Sequence, residues 1–580
     1  MPTRERSQHI GETQHQFWVG KIFKGLNTQA QREALGQGEF SWIENAMPIG
    51  DANIQGVGQA QTATATVTSS ISQMQLATIG TTNYQICFCS DGSGQAVNLS
   101  SGSVATIFAA GSFNSPTTLG MDQWKNERIL VADNAGYFSW DGTLAYGPGT
   151  LATITVVASG SVYTSTPVVT ITGGGGSNAT AVATLSGSGI SQVTITAVGS
   201  GFTSAPTISF TGGTTATASL ATASAYIMPT IPGNAVAVYS GRSWVFNGRL
   251  ITYTAPDTWY DTSAAAAAGS ATIYESSLRQ RVYGAKALDN FLYVFGDFSV
   301  IIIGDVKVSG SSTTYSQTYL SSTTGTTLPN TITSMERAIL FANKQGVFSL
   351  FGATVQKISD ALDGVFPNID FTQHVSGGLV QLYNILCYAV NFNWFDESLN
   401  TTRQIQAVYF NKKWFITSQG ALTFISSAPI GGTMMMYGTS GMALQQLYAN
   451  STQTIATTIQ TGLMDFGNEI FDKQIIRAGV EYRAASLASV TLNVDTDAQT
   501  QASAFTGSNE LLWYNTAGVQ ITWQNTSGVD ITWLTSGLLQ PSGLYDLTGK
   551  YLGFTITSNA PALQITSLRA EYEFRAAWNP

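Results

Sequence analysis

Residues 291–304 read Phe-Leu-Tyr-Val-Phe-Gly-Asp-Phe-Ser-Val-Ile-Ile-Ile-Gly, two β-branched or aromatic stretches folded back at Gly296-Asp297. Such stretches around a Gly-Asp turn predict a β-hairpin. The unit recurs at 337–352, with apolar residues 338–342 and 347–351 around Asn343-Lys344-Gln345-Gly346. It recurs again at 128–142, where 129–132 and 137–140 flank Asp133-Asn134-Ala135-Gly136. A lone hairpin is marginal in water, so repeated hairpins are expected to bury their faces on one another. Turn Asp or Asn residues mark the series at Asp91, Asp133, Asn247, Asp297 and Asn343, with looser matches at Asn391 and Gly438. The successive intervals are 42, 114, 50, 46, 48 and 47 residues, and all but one fit the blade spacing of a β-propeller. Asn45 stands 46 residues before Asp91 and is a candidate further mark, so the sequence predicts about six or seven blades without fixing the number.

The long interval holds a duplication. The segment from Ile154 through Gly160, Tyr163 and Pro167 to Gly173 returns 39 residues later, with Val193, Gly199, Phe202, Pro206 and Gly212 at the matching places. Residues 151–225 therefore read as an inserted, duplicated β-domain, and removing about 75 residues restores a blade-length interval. No Lys, Arg, Asp or Glu occurs from Leu151 to Tyr226, a composition that suits packing in an assembly or a place outside the cell. Gly173–Gly176 is followed by no Gly-Lys-Ser/Thr and opens no helix, so it reads as a turn and not a phosphate cradle.

The ends have other textures. Residues 1–38 read as a polar arm in which 28–35 is the best helix candidate, stopped by Gly36-Gln37-Gly38. The propeller is expected over 39–150 and 226–453, and a C-terminal β-domain over 454–580. That last domain carries a ten-residue repeat, in which Asn-Thr-Ala-Gly and Asn-Thr-Ser-Gly turns alternate with Val-x-Ile-Thr-Trp strands and align Trp513, Trp523 and Trp533. The three indoles either pack together as a local core or anchor a projecting partner-docking tip.

Composition narrows the function classes. Charged residues make up 10% of the 580, and the formal net charge is -9, which argues against a nucleic-acid binder built on a basic patch. Cys87, Cys89 and Cys387 make no disulfide framework, and Cys87 and Cys89 are expected in the core on one strand face. With only His9, His15 and His374 as imidazoles, metal binding and a nucleophilic triad lack ligands and a base. Asp360, Asp363, Asp370, Asp396 and Glu397 are carboxylates that could serve glycoside cleavage, but their spacing matches surface acids equally well. Arg279, Arg281, Arg337 and Arg403 are scattered, unlike the clustered arginines of sialidase propellers. No catalytic, cofactor-binding or metal-binding residue is assigned. No apolar leader precedes residue 15 and no apolar run is long enough to span a bilayer, so an intracellular, non-membrane product is expected.

Three segments carry a resemblance to a known family: Lys24-Gly-Leu-Asn-Thr28 followed by Gly38-Glu-Phe-Ser-Trp-Ile-Glu-Asn-Ala-Met47; residues 337–362 with Ile358-Ser-Asp-Ala-Leu; and Phe466-Gly-Asn with Lys473 and Arg477. Over about 20–60, 235–420 and 460–490 the chain resembles the tail nozzle (tail tubular protein B) of short-tailed bacteriophages. The resemblance implies a structural virion protein: a homohexameric ring below the head-to-tail adaptor or portal, holding tail fibres or tailspikes. It further implies transient, non-specific passage of genomic DNA and assembly in the host cytoplasm. The acidic balance is compatible, because a like-charged lumen offers DNA phosphates no footholds. The insert and the Trp repeat lie outside the resemblance. The alternatives are a carbohydrate-binding or carbohydrate-cleaving receptor-recognition propeller, and an extracellular adhesin. The expected fold is all-β: a propeller-like core, a duplicated β-insert and a C-terminal β-domain.

Overall fold

The structure is a computed structural model that describes residues 15–21, 23–50, 53–161, 163–213, 220–276, 278–419, 425–450, 455–484, 488–507, 513–517, 519–524, 530–531 and 538–577. Among the described residues it is all-β, broken only by short 3-10 turns. Seven four-stranded antiparallel blades follow one another, six of them separate sheets and blade 6 the end of a ten-stranded sheet. Blade 1 holds Ile71–Ile79, Thr82–Cys89, Gly94–Asn98 and Val104–Phe108, and blade 2 begins at Gly120–Trp124. The innermost strands of blades 3 to 7 are Ala235–Tyr239, Gly284–Leu288, Thr333–Met335, Ser376–Leu382 and Ser426–Ile430. These inner strands touch in order, and blade 7 meets blade 1, so the ring closes. Blade 7 is completed from the other end of the propeller: Gln59–Thr66 pairs with Ala443–Asn450, with Thr66 opposite Ala443 and Gln59 opposite Asn450.

The continuous apolar runs follow from a blade being covered on both sides. Along Arg128–Asp133, Ile129 and Val131 pack toward blade 1, whereas Leu130 and Ala132 pack toward blade 3. In the 291–304 hairpin, Leu292, Val294, Ile301 and Ile303 face blade 3, while Tyr293, Phe295 and Val300 face blade 5. Alternation therefore sorts side chains between two cores and not between core and water. Cys87 and Cys89 share one core, with Phe88 on the opposite face in another. Where neighbouring blades come closest the side chain is omitted: a Cβ on Gly120 would lie 2.4 Å from the Cα of Ala235.

The turn marks fall where predicted in five blades, since Asp91, Asp133, Asn247, Asp297 and Asn343 all stand at the turn between the second and third strands. The two looser marks do not. Asn391 lies inside Ile385–Asp396 opposite Gln406, and Gly438 lies inside Thr433–Ser440 opposite Gln445. Those second strands run past the marked residue before they turn. Asn45 marks no blade; it joins Glu39–Glu44 to Ala46–Ile49 outside the propeller.

The insert spans strands from Leu151–Ala158 to Thr222–Ile227, and its two repeats are interlocked. Val168–Thr172 pairs with its own counterpart, Thr207–Thr211, and Thr170 faces Ser209, the residue 39 positions on. The other strands also pair across the repeats, Leu151–Ala158 with Thr222–Ile227 and Ser177–Ser186 with Gly189–Ser200. Tyr163 and its counterpart Phe202 are both buried. The duplication thus folds as one pseudo-two-fold unit.

The remaining strands form two sheets packed face to face, and both chain ends build them. One sheet contains Ala46–Ile49, Asn53–Gly56, Gln564–Ala577, Phe471–Arg483 and Ser542–Gly549, with Gln16–Gly20 added on Gln564–Ala577. The other contains Glu39–Glu44, Thr457–Thr461, Leu552–Ser558, Ala488–Thr496 and Thr500–Gly507. It continues into blade 6 through the parallel bridge from Glu44 to Ile416. The expected division at 38 and 39 is corrected accordingly: residues 16–20 are sheet and not arm, and 39–56 belong to the terminal domain, so the propeller begins at Gln59. The helix expected over 28–35 is a single 3-10 turn, Arg32–Ala34. That segment has no apolar stripe to bury, and Arg32 instead reaches Asp495 at 2.7 Å and the Thr461 carbonyl at 2.8 Å.

Candidate functional site

The inner strands of all seven blades enclose a central cavity of about 690 Å³. One carboxylate, Asp122, and one ammonium, Lys286, line it among otherwise neutral side chains, including Gln73, Gln123, Asn234 and Asn330. These amides bond the blades to each other. Gln73 receives the Leu119 N–H at 2.9 Å and donates to the Leu119 carbonyl at 3.0 Å, joining blades 1 and 2. Gln123 makes the same two-point contact with Thr78, receiving its N–H at 3.1 Å and donating to its carbonyl at 2.9 Å. Asn234 donates to the Val282 carbonyl at 2.6 Å, and Asp122 accepts the Val238 N–H at 2.7 Å. Gln73, Gln123, Asn234 and Asp122 thus tie neighbouring blades together around the cavity. Two-carboxylate glycoside chemistry would need a second acid, and none lines this cavity among the described residues.

The acids singled out in the sequence lie elsewhere. Asp360 and Asp363 flank Lys357 at 3.7 and 2.6 Å, Asp370 accepts from Thr372, and Glu397 accepts from Asn368 at 3.0 Å. Asp396 joins a cluster that spacing did not reveal. Arg403 donates to Asp396 at 3.0 Å and to both carboxylate oxygens of Glu44, at 2.5 and 3.0 Å. The guanidinium also lies over Trp394 and Trp42, whose rings stack with centroids 5.2 Å apart. Burial opposes the Arg403 charge, but Glu44 and Asp396 outweigh it and raise the pKa. Burial likewise opposes ionised Asp396, and the Ser398 hydroxyl and Arg403 reverse the balance and lower its pKa. This cluster joins blade 6 to the terminal domain. Glu44 and Arg403 are 359 positions apart, so no local motif could announce them.

His374 is half-buried, with Nε2 3.2 Å from the Asn330 amide nitrogen, and burial lowers its pKa to about 4. Cys387 is buried, which pushes its thiol up to about 12. No group of three His, Cys, Asp or Glu side chains gathers to hold a metal among the described residues. No helix among them is long and apolar enough to cross a membrane.

The described part of the Trp repeat forms two separate two-stranded sheets. Trp513 pairs with Ile521 and Trp523 with Ile531, while Trp533 lies outside the described residues. The indoles of Trp513 and Trp523 are 50% and 56% exposed, and Tyr514, Val519 and Ile521 are exposed beside them. These two tryptophans are surface groups and not a local core.

No family model and no curated protein matches the chain. Among solved structures it is similar to an arabinoxylan arabinofuranohydrolase of glycoside hydrolase family 43 from Bacillus subtilis, at 7% identity over 87% of this chain and 96% of that one, with a TM-score of 0.23. It is also similar to the WD40 domain of SCAP from fission yeast, at 7% identity over 87% and 98%, with a TM-score of 0.23. A third is the Trypanosoma rangeli sialidase, at 8% identity over 97% and 96%, with a TM-score of 0.24. Superposition this loose carries no weight for function; the propeller rests on this chain's own strand pairings.

Proposed function

We propose that the chain is a structural subunit of a short-tailed phage virion, the tail nozzle below the adaptor, assembling as a ring through which DNA is ejected. The observation that carries this reading is the contrast between interior and surface. Gln73, Gln123, Asn234 and Asn330 of the propeller cavity are engaged in bonds between blades, whereas large apolar side chains stand exposed on the outer surface. They include Val157, Val168 and Val182 on the uncharged insert, Trp513 and Trp523 in the Trp repeat, and Phe298, Tyr319 and Phe351 on the blades. A scaffold whose work is assembly has such a surface, because contacts between subunits need desolvatable apolar area. Ring neighbours, the adaptor and tail fibres or tailspikes are the partners, and the virion tail is the place of action. In this reading DNA passes between subunits around the ring axis and not through a propeller. The Trp hairpins are docking elements.

Mass photometry and electron microscopy of the purified chain, with and without an adaptor ring, test this. Rings that form alone or on the adaptor are expected. A chain that stays monomeric in both and binds glycans would overturn the reading in favour of receptor recognition. Replacing Trp513 and Trp523 by Ala is expected to weaken docking while leaving the melting temperature within about 2 °C, since exposed positions contribute little to stability.

A further inference from the structure

Gln73, Leu119 and Asn330 line the propeller cavity and belong to a chain of side chains whose polarity can be assigned. The 3-10 turn Pro329–Thr331 leads into blade 5 and is anchored there: Thr331 accepts the Ala342 N–H at 3.0 Å, and its carbonyl accepts the Tyr388 hydroxyl at 2.6 Å. From this turn Asn330 reaches Gln73 of blade 1 at 2.7 Å, with blades 6 and 7 lying between them around the ring. Gln73 is held in turn by both backbone groups of Leu119. At the other end Asn330 meets His374, on the segment entering blade 6, at 3.2 Å.

Leu119 decides the direction of every bond in this chain. A backbone N–H cannot exchange roles, so the Gln73 oxygen must face the Leu119 N–H and the Gln73 nitrogen must donate onward. The Asn330 oxygen accepts that donation, which turns the Asn330 nitrogen toward His374. The imidazole Nε2 must therefore be an unprotonated acceptor. We propose that His374, Asn330, Gln73 and Leu119 form a proton-sensing latch that holds the strap of residues 329–331 against blade 1 while His374 is neutral. Protonated His374 presents an N–H to an amide N–H₂. Asn330 then has to turn its oxygen to the imidazolium, which sets its nitrogen against the Gln73 nitrogen. Gln73 cannot turn in response without breaking both bonds to Leu119, so the Asn330–Gln73 contact opens.

Asp370, on the same segment as His374, is tied to Thr372 at 2.6 and 2.9 Å, and the strap and blade 1 present amides. Asp122 and Lys286, the charged side chains lining the cavity, belong to the inner strands of blades 2 and 4. Burial lowers the His374 pKa.

Hydrogen exchange of the full-length protein, read at single-amide resolution and corrected for intrinsic rates, tests the latch. The Thr331 amide, bonded within the strap to the Leu328 carbonyl at 3.1 Å, is the reporter. The Thr78 amide, held by Gln123 between blades 1 and 2 without a histidine, is the control within the same molecule. Thr331 protection is expected to fall at least about tenfold relative to Thr78 between pH 7 and pH 4. In His374→Gln, a neutral acceptor at every pH, it is expected to hold. Equal behaviour of Thr331 and Thr78 in the wild-type protein overturns the latch even if the variant does not fold, and so does an undiminished pH response in a folded variant.

Discussion

Arg403 is the residue on which the join between propeller and terminal domain turns. Its guanidinium satisfies Glu44 and Asp396, whose side chains are only 10% and 6% exposed. Removing the cation leaves two sequestered carboxylates uncompensated, so Arg403→Ala is expected to cost roughly 2–4 kcal/mol. The measurement is the denaturation midpoint of the transition that reports the terminal domain. Arg403→Lys should recover less than half of that loss, because a lysine cannot grip Glu44 with two parallel bonds and stack on the indoles. His374 makes stability depend on pH in the opposite sense to a salt-bridged histidine. Its folded pKa of about 4 lies below the ordinary 6.5, so the unfolded chain takes up the proton first. Its contribution is complete above pH 6.5 and is lost as pH falls toward 4. The loss is at most about 3 kcal/mol, reduced by the water that reaches a half-buried ring. Thermal melts at pH 7.5 and 5 should converge for His374→Gln and diverge for the parent.

At the scale of elements, turn chemistry was the readable signal. Asp133 shows why: it accepts the Ala135 N–H at 3.0 Å across its own turn, and also those of Asn114 and Ser115 at 2.7 and 3.1 Å. A residue with that task leaves a periodic mark. Asn391 failed as a mark because strand length is set by what the strand packs against, which is not local. The duplicated insert was visible as a 39-residue echo, but its pairing was not, since the pattern of either copy is satisfied by pairing within itself or with the other. The two ends of the insert meet, with Leu151 opposite Ile227. Replacing 151–227 by a short Gly-Ser linker is therefore expected to leave the propeller folded, with circular dichroism unchanged in kind. The melting temperature should fall by only a few degrees, from the lost packing of Tyr226 on Tyr260.

For the whole molecule, closure depends on chain ends. Glu39–Glu44 sits between Lys413–Thr417 of blade 6 and Thr457–Thr461 of the terminal domain, and the Gln16–Gly20 strand covers Gln564–Ala577. Deleting residues 1–58 while keeping the closing strand from Gln59 should therefore unfold the terminal domain and leave the propeller as a protease-resistant core. Limited proteolysis with mass spectrometry reads this directly. Deleting on through Thr66 should destroy the core as well, because blade 7 then lacks its fourth strand. The sequence by itself determined the all-β class, the blade spacing and the duplicated insert, because turns and alternating strands are written in neighbouring residues. Only the tertiary structure decided the closing of the ring by Gln59–Thr66, the domain built from both ends, the Arg403 cluster and the contact of Asn330 with Gln73. Each of these joins groups hundreds of positions apart, and their pairing energy exists only once folding has paid the entropy of bringing them together.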